Sequence, residues 1–155
     1  MNQNLSDKIA NQLKDLGLGA VQLISSSADG EPFGDAILVF RIDSILLRVI
    51  LDKGETFLDV APVVKPRHFS SFEDVAIALG WVTLHAPEPK STVDLSVALK
   101  LFQEHFVELL SAFASERINE TQARVEIATR QRGAAFVSRL RKKAQDYARR
   151  STKPN

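Results

Sequence analysis

The sequence predicts an α+β fold in which one short helix precedes a four-stranded antiparallel meander and further helices follow it. Three observations support this prediction. Residues 4–16 carry apolar side chains at helical spacing, residues 20–61 contain four short β-forming runs, and helical spacing returns over residues 91–150. Strands joined by links this short pair antiparallel, because parallel pairing needs a long crossover connection.

The first helix is predicted over residues 4–16. Its apolar residues recur three or four positions apart and share one face: Ile9, Leu13 and Leu16. Asn4 or Ser6 is expected to cap its first turn, and Gly17 suits the residue that follows its last turn.

The four strands are predicted over residues 20–27, 33–40, 45–51 and 56–61. All four runs are rich in valine, isoleucine, leucine and phenylalanine or in other residues that suit a pleated surface. Asp29-Gly30 is a strong hairpin signal between the first two runs, and Lys53-Gly54 is a weaker one between the last two.

The segment LRVILDKGETFLDV, residues 47–60, also predicts the register of the last hairpin. A two-residue loop at Lys53-Gly54 places Arg48 opposite Asp59 and gathers most of the aliphatic side chains on the other face. A three-residue loop would mix the faces, because side chains alternate along a strand and a slip of one residue reverses every one of them. We therefore expect Arg48 and Asp59 to be neighbours in an exposed cross-strand pair.

Further elements are predicted after the meander. Residues 70–80 form a short helix capped by Ser70 or Ser71 and ended by Gly80, and residues 81–85 form a possible fifth strand. The sequence STVD at 91–94 has the form of a capping box, with aspartate in place of the usual glutamate or glutamine.

The clearest helix follows residues 91–94, and its apolar stripe has steps of four and three residues. The members of the stripe are Leu95, Leu99, Phe102, Phe106, Leu109 and Phe113. Residues 116–150 are helical in composition, and Gly133 is expected to divide them into two helices.

Length and composition indicate one domain over residues 1–150, with residues 151–155 as a frayed tail. The chain has 155 residues, 45% of them hydrophobic and 25% charged, and no cysteine. A disulfide framework and a thiolate site are therefore excluded. The polar N-terminal sequence has no apolar signal-peptide centre, and no apolar run approaches the roughly 18 residues of a membrane helix. These features favour a cytoplasmic protein without membrane contact.

The net charge of +1 conceals two halves of opposite sign. Residues 1–115 carry a net charge of −6, and residues 116–155 carry +7. Within the second half, five residues form a possible basic contact patch on a helix: Arg139, Lys142, Lys143, Arg149 and Arg150. Such a segment can meet nucleic acid, an acidic membrane surface or an acidic protein, or it can pair with the acidic half of its own chain.

No motif in the sequence indicates catalysis. His68, His85 and His105 have no metal-ligand spacing, and no nucleophile elbow, P-loop or dinucleotide-binding glycine pattern is present. The carboxylates of the meander fall largely at turns, where such residues are routine. We therefore expect no catalytic residue, no metal and no cofactor, and interpret the acidic positions as a solvated or partner-binding rim.

Three segments together resemble a group of small bacterial immunity proteins of polymorphic-toxin systems. They are FGDAILVF, LLRVILDKGETFLDVAP and FEDVAIALG, which lie within residues 33–80. In that group a segment such as GD…LRVVRDRGQVFVDV precedes a short helix with an acidic DV…ALG element. This chain has Lys53 and Glu55 where the group has arginine and glutamine, and its basic C-terminal part lies outside the resemblance.

The resemblance implies a non-enzymatic protein that binds and neutralises a cognate toxin. Its partner-binding residues would be Arg48, Asp52, Glu55 and Asp59. Two alternatives remain: a secretion-type chaperone or adaptor that acts as a dimer on extended polypeptide, and a nucleic-acid-associated protein that uses the basic C-terminal helix. For the toxin inhibitor and for the chaperone, the partner is another protein: the cognate toxin or a secreted effector.

Overall fold

The α+β architecture is confirmed by a computed structural model, which describes residues 2–28, 36–84 and 95–151. The first helix precedes the sheet: α1 is Asn2–Asp15. The strands are β1 Val21–Ala28, β2 Ala36–Ile42, β3 Ile45–Asp52, β4 Glu55–Pro62 and β5 Ser70–Ser71. The helices that follow are α2 Phe72–Ala78, α3 Leu95–Glu104, α4 Phe106–Ala112 and α5 Ile118–Ser151.

The sheet is an antiparallel meander with the strand order β1-β2-β3-β4-β5. Its fifth strand is not the predicted one, because residues 81–84 form no strand and residue 85 lies outside the described part. Ser70–Ser71 pairs instead with Asp59 and Val60 of β4. The Asp29-Gly30 turn also lies outside the described residues, although β1 and β2 pair on both sides of it.

The predicted register of the β3–β4 hairpin is confirmed at every position. Asp52 pairs with Glu55, and the ladder continues through Arg48 and Asp59 as far as Ile45 and Pro62. The two-residue turn has positive φ at both central residues, 49° at Lys53 and 82° at Gly54. This backbone twist matches that of the strands, which makes it a favoured hairpin geometry.

One face of the sheet forms the core, against α1, α2, α3 and α4. Alternate residues of the central strands are buried there, as their period of two requires. The largest members of the core are Leu13, Leu38, Phe40, Ile42, Ile45, Leu47, Phe102 and Leu109. The other face leaves apolar side chains in solvent, among them Ile37 and Phe57, which are 42% and 43% exposed.

The structure corrects three expectations about the helices. Asn4 and Ser6 both lie inside α1, which begins at Asn2, so neither caps the helix, and Ser6 is buried. The predicted long helix after residue 94 is interrupted at His105, where φ is −111° and ψ is 15°. The capping box at residues 91–94 lies outside the described part. Gly133 does not divide α5, which is continuous for 34 residues.

Ser71 holds the N-cap position of α2, as predicted, but its side chain makes no capping hydrogen bond. The helix ends before Gly80, whose φ of 79° is the left-handed conformation that a helix stop favours. At the end of the described chain, α5 reaches Ser151, and residues 152–155 lie outside the description.

We predict opposite effects of alanine at two glycines that both have space for a Cβ atom. Gly133→Ala is expected to raise the free energy of unfolding by about 0.5–1 kcal/mol, because glycine weakens a helix interior. Gly54→Ala is expected to lower it by about 1 kcal/mol, because φ is 82° there. Urea denaturation followed by circular dichroism measures both. A loss of stability in Gly133→Ala would contradict a continuous α5.

Candidate functional site

A cavity of about 540 Å³ lies next to the first half of β4, and we call it the β4 groove. Its floor and walls come from β3, β4, α2, α3 and the segment after α2, with one contribution from α5. The apolar residues that line it are Ile50, Phe57, Leu58, Phe72, Ala76, Val82, Leu95, Val97, Ala98 and Leu101. Arg132 and Glu73 provide charge on one wall.

The outer backbone edge of the first half of β4, along this groove, pairs with no other strand of the described residues. Only Asp59 and Val60 pair with β5, because the chain turns into α2 at Phe72. Among the described residues, positions 55–58 therefore pair with β3 alone. An unpaired strand edge presents backbone donors and acceptors that another extended chain can pair with.

A buried ionic cluster fixes the position of α2, which forms one wall of the groove. Asp74 is 3% exposed, and its Oδ2 atom accepts a 2.8 Å hydrogen bond from the Thr129 hydroxyl. Its Oδ1 atom lies 2.6 Å from Nε of Arg132, but the N–H is not aligned for a hydrogen bond. Arg132 also donates from Nη1 to Glu73 at 2.7 Å. The ion pairs of Arg132 with Glu73 and Asp74 thus hold α2 against α5.

The predicted contact residues lie at and beside the groove. Asp52 and Glu55 flank the hairpin turn and are exposed, and Asp59 lines the groove itself. Arg48 donates to Oδ2 of Asp59 from Nε at 3.0 Å and from Nη2 at 2.5 Å, and its guanidinium lies 4.2 Å from the centre of the Phe69 ring.

The expectation that Arg48 and Asp59 form an exposed pair is wrong. Their side chains are only 31% and 15% exposed, since β5 and Phe69 cover them. A partly buried pair with aligned hydrogen bonds contributes more to stability than a surface ion pair does. The two residues are therefore neighbours as predicted, with a larger structural role than the sequence indicated.

The predicted basic patch lies far along α5, in a different place from the groove. Lys142, Lys143, Arg149 and Arg150 are exposed, and Arg139 is partly buried. The structure therefore presents the predicted acidic and basic residues as two separate surfaces.

A third cluster joins the segment after α2 to the junction of α3 and α4. The indole N–H of Trp81 donates to Oε2 of Glu108 at 2.8 Å, and the Trp81 and His105 rings stack with centroids 4.5 Å apart. Nδ1 of His105 lies 3.1 Å from Oε1 of Glu108. The Trp81 hydrogen bond, followed by the one with His105, holds the pKa of Glu108 below its ordinary value of 4.5. These contacts hold the segment after α2 against the junction of α3 and α4.

Neither a metal-ion site nor a membrane-spanning helix is present among the described residues. In that part of the chain, no group of three or more histidine or carboxylate side chains is placed to hold a metal ion. No helix there is both long and apolar enough to cross a membrane.

Sequence reasoning missed the groove and the Asp74–Arg132 contact. Glu73 and Asp74 lie in the first turn of α2, where carboxylates are common because they favour the positive N-terminal end of a helix. Their partner Arg132 is distant in sequence, and nothing in its local pattern indicates that contact.

Comparison with known proteins gives no relative from which a function can be transferred: no protein-family model, no curated protein and no solved structure matches the chain significantly.

We predict that Asp74→Asn lowers the free energy of unfolding by about 3 kcal/mol, because it leaves the partly buried Arg132 without its closest anion. Glu73→Gln is the matched control: its side chain is 38% exposed, and we expect a loss below about 1 kcal/mol. Urea denaturation of both variants measures the difference. Equal losses of unfolding free energy in the two variants would show that the buried contact of Asp74 stabilises the fold no more than the exposed one of Glu73.

We predict an intermediate effect at the cross-strand pair. Asp59→Asn is expected to cost about 1–2 kcal/mol, since Arg48 keeps a neutral acceptor but loses a charged one. Glu55→Gln at the exposed turn should cost almost nothing. The two variants are compared by thermal or urea denaturation, and indistinguishable results would mean that the burial of Asp59 does not strengthen the pair.

We predict that the single tryptophan reports the ionisation of Glu108. The pKa of Glu108 is lower in the folded than in the unfolded protein, so its contacts with Trp81 and His105 stabilise the fold at a pH above the unfolded pKa. This stabilisation is lost as the pH falls through the folded pKa of Glu108. Trp81 fluorescence should therefore titrate with a midpoint below pH 4.5. The step should disappear in Glu108→Gln, and a step that persists in this variant would assign it to another group.

Proposed function

We propose that this protein binds another protein and catalyses no reaction, and that the β4 groove is its contact surface. The observation that carries the proposal is the coincidence of an apolar cavity with the unpaired half of an edge strand. A partner segment in extended conformation would hydrogen-bond to the β4 edge, while its side chains enter the cavity. Phe57 and Val97, which are 43% and 62% exposed, would provide apolar contact at its mouth.

We further propose that the partner is a toxin domain that the protein neutralises. Two features support this choice. The resemblance to immunity proteins covers residues 33–80, and most of the β4 side of the groove comes from that range. In addition, Asp52 and Glu55 form an acidic rim at the adjacent turn, and acidic groups suit a toxin with a basic substrate groove through steering and complementarity.

Site-specific photo-cross-linking in the native cell tests the proposal. A photoreactive phenylalanine analogue replaces Phe57 at the groove, and the matched control carries it at Val64, which is 66% exposed in the loop after β4. We expect one protein to be cross-linked from position 57 and not from position 64.

The cross-linked protein is then purified and its affinity measured with wild type and with Phe57→Asp. We expect at least a tenfold weaker complex for the variant, and loss of protection when the partner is expressed as a toxin in a growth assay. Unchanged affinity in Phe57→Asp, or equal cross-linking from both positions, would reject the groove as the contact surface.

A secretion-type chaperone is the second candidate, and the open β4 edge favours it for the same physical reason. Backbone pairing at an edge strand accepts many extended sequences, as a chaperone for a secreted effector requires. Light scattering after size-exclusion chromatography separates the candidates. A stable dimer would favour the chaperone, and a monomer would favour the inhibitor.

A further inference from the structure

The second half of α5 is largely exposed to solvent. The buried residues of α5 end at Ala128, and one turn later Arg132 forms ion pairs with Glu73 and Asp74 of α2. Ala135 and Arg139 are still partly covered, whereas every residue from 140 to 150 is exposed. At 1.5 Å per residue, this last exposed part is about 16 Å long.

The second half of α5 has an apolar face of its own. Its apolar side chains fall within an arc of about 120° around the helix. They are Phe136, Val137, Leu140, Ala144, Tyr147 and Ala148, which we call the α5 arc. Phe136, Val137, Leu140 and Tyr147 are 37%, 45%, 48% and 75% exposed.

The α5 arc overlaps the stripe that packs on the domain only at one edge, where Phe136 has the same direction around the helix as the buried Ile118. Val125, Ala128 and Arg132 mark the side that faces the domain. At 100° per residue, the centre of the α5 arc is rotated from that side by about 105°. Most of the arc therefore points to one side of the residues that face the domain, and the ion pairs of α5 with α2 do not explain why it is apolar.

Basic residues surround the arc. Lys143, Arg150 and Arg139 follow one border of the arc, Arg141 lies at the other, and Lys142 and Arg149 occupy the opposite side of the helix. Asp146 is the one acidic residue between positions 134 and 150, so this stretch has a net charge of +5.

We propose that residues 134–150 of α5 bind along the surface of a membrane rich in anionic lipids. The α5 arc would enter the boundary between headgroups and acyl chains, while the long basic side chains at its borders reach the anionic headgroups. The helix would lie in the plane of the surface and would not cross it. This proposal does not depend on the β4 groove and runs against the sequence-based expectation of no membrane contact.

Three other occupants fit the same observations less well. Nucleic acid would use the basic residues but leaves the exposed α5 arc without a role. A second copy of α5 would bring the positively charged borders of two arcs together, which opposes pairing. An apolar groove on another protein would accept Leu140 and Tyr147 but gives no role to the basic residues at the borders of the arc.

Co-sedimentation of the full chain with vesicles tests the proposal. Neutral phosphatidylcholine vesicles are compared with vesicles that contain roughly 30% phosphatidylserine, at low and at physiological salt. We expect partition into the anionic vesicles alone, weakened several-fold by the added salt. No partition into anionic vesicles at low salt would overturn the proposal.

Two variants separate the membrane from the other occupants. Leu140→Ser/Tyr147→Ser removes apolar area and keeps every charge, whereas Lys142→Gln/Lys143→Gln removes charge and keeps the arc. We expect each to lower vesicle partition at least tenfold, and the exposed Val107→Ser on α4 to leave it unchanged. Circular dichroism verifies that each variant is folded.

The same variants are measured with a short DNA duplex and by light scattering. If wild type binds DNA, Leu140→Ser/Tyr147→Ser should bind it as tightly, because this variant keeps every charge. Three results would overturn the proposal. The first is that Leu140→Ser/Tyr147→Ser binds vesicles as tightly as wild type does, and the second is that wild type binds DNA but not vesicles. The third is that loss of a dimer is the only effect of the substitutions at Leu140 and Tyr147.

Discussion

The register of the β3–β4 hairpin is the constraint on which the rest of the structure depends. Asp52 and Glu55 form the last pair of the hairpin, on either side of a turn whose two central residues have positive φ. Because side chains alternate, this one choice sends Leu47, Val49 and Val60 into the core and Arg48 and Asp59 to the other face. A slip of one residue would bury a charged pair and expose the centre of the core, so core and groove are specified together.

The groove exists because β4 is longer than the strand that covers it. The chain reaches Ser70–Ser71, pairs with two residues of β4 and immediately begins α2. The buried contact between Asp74 and Arg132 then holds α2 against α5. A buried ion pair is weak evidence for added stability, but its geometry is specific, and it fixes where the helix lies. The open edge of β4 thus follows from how the helices are held.

The parts of the fold that depend on local pattern were predictable. Alternation within residues 47–60 was sufficient for the whole ladder, because one register alone separates the aliphatic side chains from Arg48 and Asp59. The predictions that failed depend on contacts distant in sequence or on weak signals. Gly133 lowers helix propensity by only about 1 kcal/mol, which the rest of a 34-residue helix overrides. The groove depends on segments separated in sequence, so no single stretch indicates it.

The two oppositely charged halves of the chain neutralise each other only in part. Arg132 of α5 pairs with Glu73 and Asp74, which is the intramolecular pairing that the charge asymmetry suggested. Beyond Arg139 every residue of the helix up to Arg150 is exposed, and basic side chains such as Lys142 and Arg150 are among them. If that charge served solubility alone, apolar residues would have no reason to gather on one side of the same turns. Leu140 and Tyr147 do gather there, so the exposed end of α5 combines charge with an unburied apolar face and has the chemistry of a surface that meets something else.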